Sequence, residues 1–97
     1  MSKHDFGALS AQYCGVIAQM PKSFTSHEFI LRLAQRNQAL YIEALYSYRG
    51  SPAPFQVLHC QLARHLKGHS EVVRYTRRVR SKDIFGGGNT CGQWTKV

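Results

Sequence analysis

Carboxylates are the first shortage. Only Asp5, Glu28, Glu43, Glu71 and Asp83 stand against 13 Lys and Arg in 97 residues, giving a formal net charge of +8 and a pI near 9.9. Asp5 and Glu28 fall at helix-capping positions, so a carboxylate pair for general acid–base catalysis is not expected. Cysteine is scarce as well. Cys14, Cys60 and Cys91 are odd in number and widely spaced, which fits reduced thiols better than a disulfide framework. No Cys-x-x-Cys pair is present, and although His65 and His69 are one helical turn apart, Cys60 falls on another face. These histidines read as packing residues with one polar edge in water, and neither a metal nor a cofactor is expected. No run approaches the ~20 apolar residues needed to cross a bilayer, and the opening residues lack the apolar core of a signal peptide. A cytoplasmic protein without a membrane partner is the expectation. Gly86-Gly-Gly88 lacks the Gly-Lys-Ser/Thr ending of a phosphate-binding loop, and no Cys–His nucleophile with an orienting third group is marked out. The chain is therefore expected not to be an enzyme.

What is abundant points to a folded, polyanion-binding body. A hydrophobic content of 43% with 11% aromatics supplies enough apolar surface to offset the entropy of ordering, and the length suits a single domain with one modest core. The layout reads as 1–97 in one domain: 1–21 as an N-terminal helix or arm, 25–68 as a helical core, 71–97 as a basic β-hairpin. The longest pattern runs over residues 24–48. Thr25 and Glu28 have capping-box spacing, and Phe24 and Phe29 occupy the two positions of a hydrophobic staple. Ile30, Leu33, Ala34, Asn37, Leu40, Tyr41, Ala44, Leu45 and Tyr48 share one stripe at helical period, while Leu31, Ile42 and Tyr46 lie on a neighbouring face. Such a helix is expected to be a spine packed on two sides. It either runs unbroken or divides near Asn37, a polar residue inside the apolar stripe.

The flanking segments follow from the same periods. Ser2 and Asp5 have capping-box spacing, and Phe6, Leu9, Tyr13, Val16, Ile17 and Met20 form the stripe of a first helix that Pro21 stops. Residues 54–67 predict another helix, closed by Gly68, with Phe55, Leu58, Leu62 and Leu66 on its inner face. Gln56, Cys60, Gln61, Arg64 and Lys67 point away, and Gln and Arg are side chains that pair with base edges in a major groove. From Glu71 the period changes to 2: Val73, Tyr75, Arg77 and Val79 alternate with Arg74, Thr76, Arg78 and Arg80. Arg74, Arg77, Arg78, Arg80 and Lys82 crowd this strand. A glycine-containing loop at 81–90 lets the chain return as a second strand with Trp94 against the core, its glycines permitting positive φ and close approach to a phosphate.

The expected fold class is α+β, mainly helical: three or four helices followed by a C-terminal β-hairpin. This order resembles the winged-helix (winged helix-turn-helix) family of DNA-binding domains over residues 25–97. The resemblance implies that the helix before the hairpin enters the major groove and the wing contacts phosphates or the minor groove. Carried over by position, Gln56, Gln61, Arg64 and Lys67 become groove candidates, and Arg74, Arg77, Arg78, Arg80 and Lys82 backbone contacts. The function so implied is binding of double-stranded DNA in a transcriptional or accessory role. Composition leaves RNA open as the nucleic acid, and a homodimer as a further partner. A different class is a protein-interaction adaptor that docks through the tyrosine-rich spine or the Ile84-Phe85-Gly86 loop.

Overall fold

The computed structural model describes residues 6–97. Over them the chain forms α1 (Gly7–Ser10), α2 (Tyr13–Gln19), β1 (Ser23–Thr25), α3 (Ser26–Arg36), α4 (Gln38–Ser47), α5 (Pro54–His65), a 3-10 turn (Leu66–His69), β2 (Val73–Lys82) and β3 (Gly88–Lys96). The architecture is α+β, with helices packed against one antiparallel sheet of order β1-β3-β2.

The first stripe is buried as its period requires, with Leu9, Tyr13, Val16, Ile17 and Met20 in the core and Phe6 packed against it. It is carried by two short helices and not one, because the chain turns at Ala11–Gln12; Gly7 and Gly15 leave it little intrinsic helix propensity to resist the break. The Ser2–Asp5 capping signal lies outside the described residues. Tyr13 is the anchor of this segment. Its hydroxyl donates to the Leu62 carbonyl of α5 at 2.7 Å, and its ring lies 4.8 Å from both Phe29 and His69. Burial pushes the Tyr13 hydroxyl well above its ordinary pKa, so it stays a proton donor.

Helix α3 starts on the capping box that the sequence spells. The Glu28 amide donates to Thr25 Oγ1 at 3.1 Å, and the Thr25 amide donates to Glu28 Oε1 at 2.8 Å, so two otherwise orphaned donors are satisfied reciprocally. The Phe24 and Phe29 rings close the staple at 6.1 Å.

The spine divides at Asn37, where φ is −138°. The Asn37 amide and side-chain nitrogen both donate to the Leu33 carbonyl, at 3.0 and 3.3 Å. A side chain competing for a helix carbonyl favours an end to the helix. Because α4 then leaves in a new direction, the expected two-sided packing is not made. Ile30, Leu33, Tyr41, Ala44 and Tyr48 are buried, but Leu31 is 40% exposed, and Ile42 and Tyr46 are each 62% exposed.

Pro54 opens α5, and Leu58, Leu62 and Leu66 are fully buried. Phe55, expected on the same inner face, is instead 41% exposed, and its ring meets Phe85 from the hairpin loop edge-on at 4.8 Å. The helix ends at His65 and tightens into the 3-10 turn through Gly68.

Strand β1 is a further element, not anticipated from the sequence. It pairs with the β3 edge, setting Phe24 opposite Trp94. Trp94 Nε1 donates to Ser26 Oγ at 2.9 Å and Ser26 Oγ to the Gly92 carbonyl at 3.4 Å, which ties the start of α3 to β3. Lys96 Nζ reaches the Ala18 and Met20 carbonyls at 3.3 and 2.8 Å, a cation on the C-terminal end of α2 where the helix dipole favours it. No helix among the described residues is long and apolar enough to cross a membrane.

Candidate nucleic-acid interface

Helical spacing assembles the first half of the site. Gln56, Cys60, Arg64 and Lys67 form one exposed column along α5 and the turn after it, and Gln61 lies half-buried beside them. The cores of α3 and α4 bury the opposite face through Leu58 and Leu62, which is why the polar column is left outside.

The second half is the β2–β3 ribbon, whose faces differ from simple alternation. The register shifts between Tyr75 and Arg77, with Thr76 as the extra residue, and a bulge of this kind reverses which side later residues occupy. Arg74 is therefore opposite Thr95 and Arg77 opposite Gln93, on one face. Arg78, Arg80 and Lys82 face Gly92, Thr90 and Gly88, on the face of Tyr75 and Trp94. The expected grouping of Arg77 with Tyr75, and of Arg74 with Arg78 and Arg80, is corrected by this single inserted residue. All five cations are exposed. Arg77 Nε donates to Gln93 Oε1 at 3.0 Å and Arg78 Nε to Thr90 Oγ1 at 3.3 Å. These neutral partners orient the guanidiniums without cancelling charge, and among the described residues no carboxylate pairs with any of the five.

The tip loop of the ribbon meets α5, and the base of β2 meets the 3-10 turn that follows that helix. At the tip, Phe85 packs on Phe55 and stacks 6.3 Å from His59, which shares a 2.7 Å hydrogen bond with the Tyr41 hydroxyl. At the base, Lys67 and Ser70 share one cleft with Arg74 and Tyr75. Burial lowers the pKa of His59 and of His65, so both favour the neutral form and the positive field belongs to Arg and Lys.

The tip loop differs from its expected role. Asp83 Oδ1 accepts from the amides of Phe85 and Gly87, each at 2.9 Å, and Gly86 takes φ +85°, the left-handed geometry that glycine tolerates. The Gly87 and Phe85 hydrogen bonds hold the Asp83 carboxyl below the usual carboxylate range. Amides already given to a carboxylate are not offered to a phosphate. The loop is a clip that closes the ribbon.

Like His59, His65 and His69 are engaged by aromatic rings. His65 packs on Phe6 at 4.8 Å and His69 stacks on Tyr13. Among the described residues no three His, Cys, Asp or Glu side chains converge on a metal-sized site. Cys14 and Cys60 are exposed free thiols and Cys91 is a buried one. Tyr75, 47% exposed in the midst of the cations, is the residue that sequence reasoning passed over; its position beside a run of arginines was the available signal. Compared with known protein families, with curated proteins and with solved structures, the chain gives no match in any of the three.

Proposed function

We propose that this chain is a non-enzymatic, winged-helix-like protein that binds double-stranded DNA in the cytoplasm, in a transcriptional or accessory role. The observation that carries the reading is the ribbon tied to the α5 segment at two places, by Phe85 on Phe55 at the tip and by β2 beside the turn that carries Lys67 at the base. A polar helix face is thereby brought near a ribbon whose uncancelled cations stand on both faces, Arg78, Arg80 and Lys82 on one and Arg74 and Arg77 on the other. Gln56, Gln61 and Arg64 offer paired hydrogen bonds to base edges, while Lys67 and the β2 cations meet phosphates and release counterions. Duplex DNA suits this arrangement better than duplex RNA, whose deep major groove is too narrow for side chains to read.

A native thiol tests the placement. Cys60 sits in the middle of the α5 column, between Gln56 and Arg64, whereas Cys14 is carried by α2. Saturating duplex DNA is expected to slow alkylation of Cys60 by a bulky maleimide at least tenfold and to leave the Cys14 rate unchanged. Equal rates at Cys60 with and without DNA would remove α5 from the groove.

Exposure on α4 favours a second reading, association with another copy of the chain. Ile42 and Tyr46 are one turn apart and exposed, with the Arg49 guanidinium 4.0 Å over the Tyr46 ring. Glu43 and Arg49 flank Tyr46 at equal sequence distances, so two such segments crossing antiparallel at Tyr46 set opposite charges against each other. Sedimentation at high salt is expected to show a dimer that Ile42→Glu converts to a monomer. A wild-type chain that sediments as a monomer at high concentration rules this reading out.

A further inference from the structure

The duplex scheme leaves the Tyr75 ring without a role. Tyr75 pairs across the ribbon with Trp94 and meets its ring edge-on, at 5.4 Å and 77°. A β-carbon at Gly92 would lie 3.0 Å from Tyr75 Cε1 and 3.1 Å from Trp94 Nε1. The missing side chain at Gly92 is thus what lets the Tyr75 ring settle onto β3, an aromatic covering a strand glycine on the facing strand. The ring is fixed on one side by Gly92 and Trp94, yet Tyr75 stays 47% exposed. Beside it opens a cleft of about 430 Å³, with Val73 and Trp94 as apolar lining and Lys67, Ser70 and Arg74 at its polar margin. Arg78, opposite Gly92, shares the face of the ring.

A held aromatic ring, apolar lining and cations on several sides match a flat π-system that carries anionic groups at its edges. We propose that this cleft is a stacking site for one unpaired nucleobase, with Tyr75 as the platform and Lys67, Arg74 and Arg78 on the flanking phosphates. The cleft is open on its outer side, so a single base can lie against the exposed part of the ring. Stacking on an aromatic ring is tolerant of base identity because every base has a π-face. The site rests on the nucleic-acid reading above and deepens it: the preferred ligand is a duplex with an unpaired stretch, such as a frayed end, a bulge or a junction. Lys67 belongs to the α5 column and Arg74 to the ribbon, so the base would be received where the two contact sets meet.

The test compares a blunt duplex with the same duplex bearing a short oligo-dT overhang, by fluorescence anisotropy at one salt concentration. The wild-type chain is expected to bind the overhang form about 5- to 100-fold more tightly, the range of a single base–aromatic contact. Tyr75→Phe is expected to keep that advantage. Tyr75→Leu, which keeps apolar bulk over Gly92 but lacks a π-face, is expected to lose it while blunt-duplex affinity stays unchanged. Circular dichroism of each variant verifies that the fold is intact, and Tyr75→Ala serves in place of Leu should that variant misfold. If the overhang gives no advantage, or if the Leu variant retains it, the stacking site is overturned and duplex binding stands. If no oligonucleotide binds at all, both readings fall together.

Discussion

Replacing Arg78, Arg80 and Lys82 together with Ala is expected to weaken binding to duplex DNA of any sequence by roughly 500-fold at ~0.1 M salt. Each phosphate contact contributes about 0.9 to the slope of log affinity against log salt, so three lost contacts flatten it by about 2.7. These three are chosen because Gly92, Thr90 and Gly88 stand opposite them. Small side chains, or none, leave the cationic stems clear of cross-strand neighbours and free to follow a backbone. Arg77, by contrast, is drawn toward Gln93. All three replaced residues are exposed, and the single Arg78–Thr90 hydrogen bond is the one protein contact of that kind their side chains make among the described residues. Stability should therefore change little.

The control is a change of charge elsewhere. Lys22 and Arg36 are exposed as well, outside the ribbon and α5, and neutralising both alters the net charge with no loss of a ribbon contact. Electrostatic steering through the whole-molecule field predicts a shared, modest effect for the two sets. Direct contact predicts a large loss and a flattened salt slope for the ribbon set alone. A triple variant whose affinity and salt slope match those of the wild type would remove β2 from the interface.

How much of this could be read in advance depends on how local each signal is. The capping box at Thr25–Glu28 and the stripe through Ile30, Leu33, Tyr41 and Ala44 involve neighbours within a few turns, and they form as written. The polar column of α5 was legible for the same reason. Strand β1 was not, because three residues offer no alternation to detect and their partner is β3, near the other end of the chain. The helix division was half legible: Asn37 stood out within the apolar stripe, but the new direction of α4, which exposes Ile42 and Tyr46, is a tertiary outcome.

In the ribbon, the change of period from 3.6 to 2 announced the strands. The faces were hidden because Thr76 looks like any other alternating residue and only the register with β3 reveals it as inserted. Phe85 shows the same limit. An apolar residue at a loop tip reads as a docking point, yet here it turns back onto Phe55 and His59 and holds the ribbon to α5. Tyr75 owes its place to Gly92 and Trp94 across the ribbon, a relation that no window along one strand contains.

Phe29→Ala is expected to lower stability by about 3–5 kcal/mol, the usual cost of emptying a buried aromatic site. Domains of this size hold roughly 5–15 kcal/mol in all, and each kcal/mol moves the unfolding midpoint by about 4–8 °C. A fall of roughly 15–30 °C in thermal unfolding followed by circular dichroism is the expected reading. The size of the effect follows from position. Phe29 is fully buried, 4.8 Å from the Tyr13 ring and 6.1 Å from Phe24. Tyr13 joins α2 to α5 through the Leu62 carbonyl, and Phe24 joins β1 to β3 opposite Trp94. One ring thus supports both the docking of the first helices and the seating of the sheet, so its loss loosens the link between α5 and the ribbon from behind. Thr25→Ala, which removes one half of the capping box, costs only about 1 kcal/mol and gives the scale for comparison. If Phe29→Ala melts no lower than Thr25→Ala, the two aromatic contacts do not meet at the centre of the fold. If it melts far lower while the folded fraction still binds duplex DNA with wild-type affinity, Phe29 serves the scaffold alone and the interface belongs to α5 and β2.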